Sequence, residues 1–203
     1  MPTEKKSKFI VFEGIDGSGK STQVKLLASK LLKNNVSHVL KKEPGDTIIG
    51  DKIRKLLSED SDMSSLTELF LFSAARKELV DKEIIPALEN ETLVILDRYI
   101  YSTIAYQGYG RNIDLEYIHH LNKMATSDLK PDIVFLLDIH PEISSSRIDS
   151  KKLDRIESES IEFYNRVRNG YLEIAEANPN TWMIVDASKQ PEQIHTQIWD
   201  RIY

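Results

Sequence analysis

The sequence predicts a doubly wound α/β protein: a five-stranded parallel sheet with helices on both faces. Three observations carry that prediction. Short apolar runs alternate with segments whose apolar residues recur at helical spacing. Several of those runs are continuous rather than alternating, as strands covered on both faces require. The first run, Phe9-Ile10-Val11-Phe12, leads directly into Gly-Ile-Asp-Gly-Ser-Gly-Lys-Ser at residues 14–21, which has the strand–glycine loop–helix order of a phosphate-binding loop.

The elements follow in order. Strands are predicted over 9–12, 39–41, 93–96, 133–138 and 182–185. A helix starts near Lys20, where Val24, Leu27, Ala28 and Leu31 share one face. Ile53, Leu56 and Leu57 mark a second. A long helix is expected over 64–88, with Ser64 or Ser65 as N-cap, Glu68 completing a capping box, and Pro86 kinking or ending it. Further helices are predicted over 161–177, stopped before Pro179, and over 193–202, with Pro191 in its first turn. The polar, basic stretch 144–152 reads as an excursion. With no repeat and no linker, residues 1–203 make one domain.

Composition narrows the function. The net charge is −5 and the apolar content 40%, so no basic surface points to nucleic acid. No apolar run reaches the ~18 residues of a membrane span. The chain contains no cysteine, which is compatible with a reducing compartment. A cytoplasmic enzyme with no nucleic-acid or membrane partner is expected. The five histidines form no metal spacing, and His119-His120 reads as an exposed helix face.

Two motifs carry the chemistry. In the loop, Gly14, Gly17 and Gly19 let the backbone turn several N–H groups toward one anion, and the following helix N-terminus adds positive potential. Ile15, Asp16 and Ser18 complete the loop. Lys20 reaches toward β- and γ-phosphates, Ser21 toward Mg²⁺, and Thr22 closes the donor site. The second motif is Leu93-Val94-Ile95-Leu96-Asp97-Arg98, an apolar strand ending in a carboxylate placed for the same Mg²⁺, followed by an arginine. A GTPase is excluded because Asn122-Lys123 is followed by Met124-Ala125, with no guanine-reading aspartate. An acceptor that is itself a phosphate monoester needs no catalytic base, since its second pKa is about 6. It needs arginines against repulsion of about 4 kcal/mol per charge pair. Arg54, Arg76 and Arg98 are the candidates.

The chain resembles the thymidylate (dTMP) kinase family. The resemblance rests on F-E-G-I-D-G-S-G-K-S-T (12–22), E-P-G-D-T (43–47), L-F-S-A-A-R (71–76), D-R-Y (97–99), S-T-x-A-Y-Q-G (102–108), K-P-D (130–132) and L-D-R-I-E (153–157). It implies a P-loop nucleoside monophosphate kinase-like fold, with ATP·Mg²⁺ phosphorylating dTMP to dTDP for dTTP synthesis and DNA replication, in a cytoplasmic homodimer. It further implies that Phe72 stacks on thymine, Arg76 bonds a base carbonyl, and Thr103 and Gln107 read the pyrimidine edge. Tyr106 would stand against the sugar 2′ position, Asp16 near the 3′-hydroxyl and metal, and Arg54 and Arg98 on the acceptor phosphate. Glu157 would order the site, and Asp186-Ala187-Ser188 would border adenine.

The loop's variable positions contain no arginine, so the chain resembles the form with its catalytic arginine in a lid, here about 145–156. Arg147 and Arg155 are the candidates; Lys151 and Lys152 read as a solvated basic pair. Asp46 replaces the family's usual glycine and is expected to take positive φ with its carboxylate turned away; Lys42 stands where arginine is usual. Two rivals remain open: a kinase for a deoxynucleoside or another pyrimidine monophosphate, and a catalytically weak nucleotide-binding protein, which only the arginine-poor lid favours.

Overall fold

The computed structural model describes residues 9–59, 62–148 and 153–203. Its centre is five parallel strands, β1 (Phe9–Glu13), β2 (His38–Lys42), β3 (Leu93–Asp97), β4 (Ile133–Asp138) and β5 (Trp182–Asp186), in the order β2-β3-β1-β4-β5. Every residue of β1 is buried, as are the first five of β4. A strand buried at both odd and even positions has a covered sheet face on each side, as its continuous apolar run predicted. The chain leaves β1 toward β2 and leaves β4 toward β5. A crevice therefore opens at the carboxyl ends of these neighbours, the place where open α/β sheets hold ligands. β3 pairs with β1 in a register that sets Asp97 beside Phe12, which brings its terminal carboxylate to the same crevice.

The helices are α1 (Lys20–Lys33), α2 (Ile48–Ser58), α3 (Ser65–Leu79), α4 (Ile85–Glu89), α5 (Ile100–Thr103), α6 (Leu115–Thr126), α7 (Pro141–Ser145), α8 (Ile161–Glu176) and α9 (Pro191–Ile202). α1 buries Val24, Leu27 and Leu31, as the spacing predicted. α2 buries Ile53 and Leu57 but leaves Leu56 exposed.

Two expectations are corrected. The helix predicted over 64–88 is α3, a π-helical turn (Val80–Ile84) and α4 in succession. Pro86 has no N–H to bond the preceding turn and its ring crowds that turn, so a widened turn just before it lets the chain continue. Ser64 caps α3 by accepting from Thr67 N, so Glu68 completes no capping box and its side chain is fully buried. Tyr106 sits in a second π-helical segment, Ile104–Gly110. Among the described residues no helix is long and apolar enough to cross a membrane.

Candidate active site

The phosphate loop is shaped by close approaches. Gly14 has φ 139°, and a Cβ there would lie 2.6 Å from the Leu137 carbonyl of β4. A Cβ on Gly17 (φ 74°) would lie 2.5 Å from the Ser144 carbonyl of α7. Only glycine combines that space with positive φ. Gly19 caps α1 in the left-handed conformation, while Ile15 and Ser18 are buried beneath the loop. Lys20 is 6% exposed, and its Nζ donates to the Gly14 and Ile15 carbonyls at 3.0 and 2.9 Å. Burial, reinforced by nearby Arg98, pulls its ammonium down to about 8.

Ser21 Oγ donates to Asp97 Oδ2 at 2.9 Å. The buried Asp97 Oδ1 has no hydrogen-bond partner. A hydroxyl beside a half-satisfied carboxylate at a phosphate loop suits Mg²⁺, which takes few protein oxygens and completes its shell with water and phosphate. Accordingly no cluster of three acidic or histidine ligands is needed, and none occurs among the described residues.

Arg98 holds the centre. Its backbone is left-handed (φ 72°), uncommon for a residue with a Cβ. Nη2 pairs with Asp16 Oδ1 at 2.5 Å, and Nη1 donates to the Gly14 carbonyl at 3.1 Å and to Ser102 Oγ at 3.2 Å. Tyr106 Oη donates to the other Asp16 oxygen at 2.8 Å. Burial alone would raise Asp16, but Arg98 and Lys20 outweigh it and hold the carboxyl below its ordinary range. Behind Arg98 lies Glu13. It accepts from Tyr99 N (2.9 Å), Ser102 Oγ (2.7 Å) and Tyr171 Oη (2.9 Å), and burial pushes its carboxyl up.

Two cavities meet here. Gly17, Gly19, Lys20, Ser21, Thr22, Asp97 and Arg147 line one, together with Ala187 and Ser188 from the segment expected to border adenine. Phe72, Arg76, Thr103, Tyr106, Gln107, Ile156 and Glu157 line the other. Asp16, Glu43, Arg54 and Arg98 line both. Arg54 is exposed, with Nη1 on the Pro44 carbonyl at 3.0 Å. Phe72 packs beside Ile53, Leu57 and Ala75.

Arg76 is 1% exposed and differs from expectation in what it bonds. Every guanidinium nitrogen has a protein partner: Glu43 Oε2 (2.8 Å from Nε), Thr103 Oγ1 and Asn122 Oδ1 (2.9 Å each from Nη1), and the Tyr99 carbonyl (3.0 Å from Nη2). Burial raises Glu43 to about 7 even with Arg76 beside it. Its Oε1 is buried without a partner.

The two arginines expected in a lid part company. Arg147 donates to the Gly17 carbonyl at 3.5 Å and the Ala187 carbonyl at 3.1 Å, on the phosphate-loop side. Arg155 turns the other way, to Glu68 Oε2 at 2.5 Å, and lines neither cavity. Lys151 and Lys152 lie outside the described residues. Asp46 has φ 59°, as expected; its carboxylate accepts from Lys42 N at 2.8 Å, and Asp46 lines neither cavity. Sequence reasoning assigned no role to Glu13, Ser102 or Tyr171, and to Glu68 only a cap. The one signal for Glu13 was a charged residue closing an otherwise apolar buried run.

This fold, with a phosphate loop facing a second cavity across a shared arginine, defines a P-loop phosphotransferase of the nucleoside monophosphate kinase class. Comparison with known proteins narrows the class. A family profile described as thymidylate kinase matches residues 12–198. The chain is 46% identical to a thymidylate kinase of Prosthecochloris aestuarii, over 96% of this chain and 92% of that one. It is 38% identical to one from Thermoanaerobacter sp., covering 96% and 97%. The crystal structure of thymidylate kinase from Ehrlichia chaffeensis superposes with a TM-score of 0.80 at 38% identity, covering 97% of this chain and 98% of that one. The chain belongs to the thymidylate kinase family.

Proposed function

We propose that this protein transfers the γ-phosphoryl group of ATP to dTMP, forming dTDP and ADP, as a step toward dTTP for DNA replication. The observation that carries the reading is the junction: Asp16, Glu43, Arg54 and Arg98 line both the phosphate-loop cavity and the cavity that holds Phe72. A donor in one and a nucleoside monophosphate in the other would face each other across Arg98.

The chain's own residues supply three things. Residues 14–22 cradle the triphosphate with N–H groups, and Lys20 brings a positive charge to it. Arg98 and Arg54 screen the acceptor phosphate against the donor, offsetting repulsion of about 4 kcal/mol per charge pair. The acceptor phosphate is already a nucleophile, so no residue need remove a proton. Its oxygen forms the new bond to the γ-phosphorus as the bond to the β–γ bridging oxygen breaks, and the electron pair leaves on ADP. Arg147 extends the positive surface on the phosphate-loop side, whereas Arg155, held by Glu68, stays outside both cavities. Ser21 and Asp97 would hold Mg²⁺, which would supply neutralisation of phosphate charge when bound.

The test is ADP release with ATP·Mg²⁺ and dTMP, dUMP, UMP, dCMP or thymidine as acceptor. Strong preference for dTMP is expected; turnover of thymidine instead would place the protein among the nucleoside kinases.

The same reading has it act in the cytoplasm as a homodimer. Supporting the dimer, α3 and α6 pack together, and each exposes large apolar side chains, Leu66 and Phe70 on one, Tyr117 and Met124 on the other. Phe70→Glu is expected to sediment as a monomer that still binds ATP. A variant that stays dimeric removes Phe70 from the interface.

A further inference from the structure

Glu68 on α3 has no part in the reaction above, yet three side chains converge on its buried carboxylate. Oε1 accepts from Gln107 Nε2 at 2.7 Å and Arg111 Nε at 3.3 Å. Oε2 accepts from Arg111 Nη2 at 3.2 Å and Arg155 Nη2 at 2.5 Å. Arg111 pairs in turn with Glu159. One fully buried carboxylate thus joins a cavity-lining amide to Arg111 and Arg155.

Chemistry fixes the direction of the Gln107 bond. A carboxylate paired with two guanidinium groups is ionised and can only accept. The Gln107 atom facing it is therefore the NH₂ group, which leaves the amide carbonyl for the cavity. Thr103 can put a donor beside that carbonyl: its Oγ1 accepts from Arg76, which leaves its own rotatable hydrogen and a second lone pair, so the Gln107 carbonyl is the group of fixed polarity. An acceptor and a donor then face the base together. Thymine offers an N3–H beside a carbonyl oxygen, which complements that pair. Cytosine offers an unprotonated N3 beside an amino group, which opposes it.

We infer that Glu68 is a positioning residue for base selectivity: it holds the Gln107 carbonyl toward the base, with its own carboxylate fixed by Arg111 and Arg155. This rests on the second cavity being the thymine site.

Glu68→Gln tests it. A carboxamide opposite Gln107 can donate or accept, so both orientations of the Gln107 amide become available. The measurements are kcat/KM for dTMP and for dCMP, with ATP affinity and thermal unfolding alongside. The dTMP:dCMP ratio is expected to fall at least about tenfold, because a site built to pair with a polar edge discriminates through the groups that mispairing leaves unpaired. ATP affinity should stay unchanged. A merely structural role would lower both activities together and leave the ratio intact. Glu68→Asp keeps the charge that the arginines need but withdraws the carboxylate by one methylene, and the same fall is expected there should the glutamine variant not fold. A folded variant that keeps the wild-type ratio overturns the role of Glu68. A wild-type protein without preference for dTMP overturns instead the reading of the cavity on which the inference rests.

Discussion

Replacing Lys20 with methionine is expected to slow dTMP phosphorylation about 10²–10³-fold, the usual cost of removing one preorganised charge from a developing transition state. The effect belongs mainly in kcat. The ground-state triphosphate is also held by the N–H groups of residues 14–22, whereas charge moving from the γ-phosphoryl group to the leaving ADP is met by few cations. Lys20 has its ammonium at the Gly14 and Ile15 carbonyls, at the floor of the donor cavity. The fold should survive. Methionine matches the length and flexibility of the lysine stem, and Gly14 O keeps a second donor in Arg98. Steady-state kinetics with a nucleotide-binding measurement decide the matter. A kcat within tenfold of wild type would remove Lys20 from the chemistry.

What the sequence made legible was local, and what it hid was long-range. The phosphate loop, β1 before it and α1 after it are contiguous, so glycine spacing and apolar periodicity were enough to place Lys20 and Ser21, and a second local run, 93–97, marked the end of β3. The continuous runs in β1 and β4 likewise announced strands covered on both faces. Arg98 was legible as a charge at the end of β3, but its setting was not. Asp16 and Tyr171, which surround it, come from distant elements that only the folded sheet brings together. Glu68 shows how a correct local rule can mislead. An acidic residue near a serine at a helix start suggests a capping box, yet register makes Ser64 the cap and Thr67 its partner. Two arginines from later in the chain then claim the carboxylate. Arg76 was read as a contact to the base; its isolation from solvent among Glu43, Thr103 and Asn122 follows from packing between α3, α5 and α6, which no spacing encodes. The π-helical segment 104–110 was missed for a related reason, since a widened turn has no periodic signature.

Arg76→Met is expected to lower the unfolding free energy by about 3–5 kcal/mol, because it breaks a buried ion pair from one side. That is a large part of the ~5–15 kcal/mol of an ordinary domain. Methionine fills much of the volume but leaves Thr103 Oγ1, Asn122 Oδ1 and both oxygens of Glu43 without the donors they now have or need. The dependence on pH separates this mechanism from a simple packing defect. Glu43 is raised by burial to about 7 in the intact protein, and the attraction of Arg76 is what keeps it from rising further. A carboxyl raised in the folded state binds more protons there than in the unfolded chain, so its contribution makes stability fall as pH rises between the two pKa values. In the wild type that fall is complete near pH 7. In the variant, with the guanidinium gone, the folded pKa moves higher and the fall continues. The two stabilities should therefore run parallel below about pH 7 and diverge above it. Urea unfolding at several pH values from 6 to 8.5 would show this. A constant difference across that range would mean that Glu43 is not the group left exposed to the loss, and that the cost of Arg76→Met lies in packing and in Thr103 and Asn122 alone.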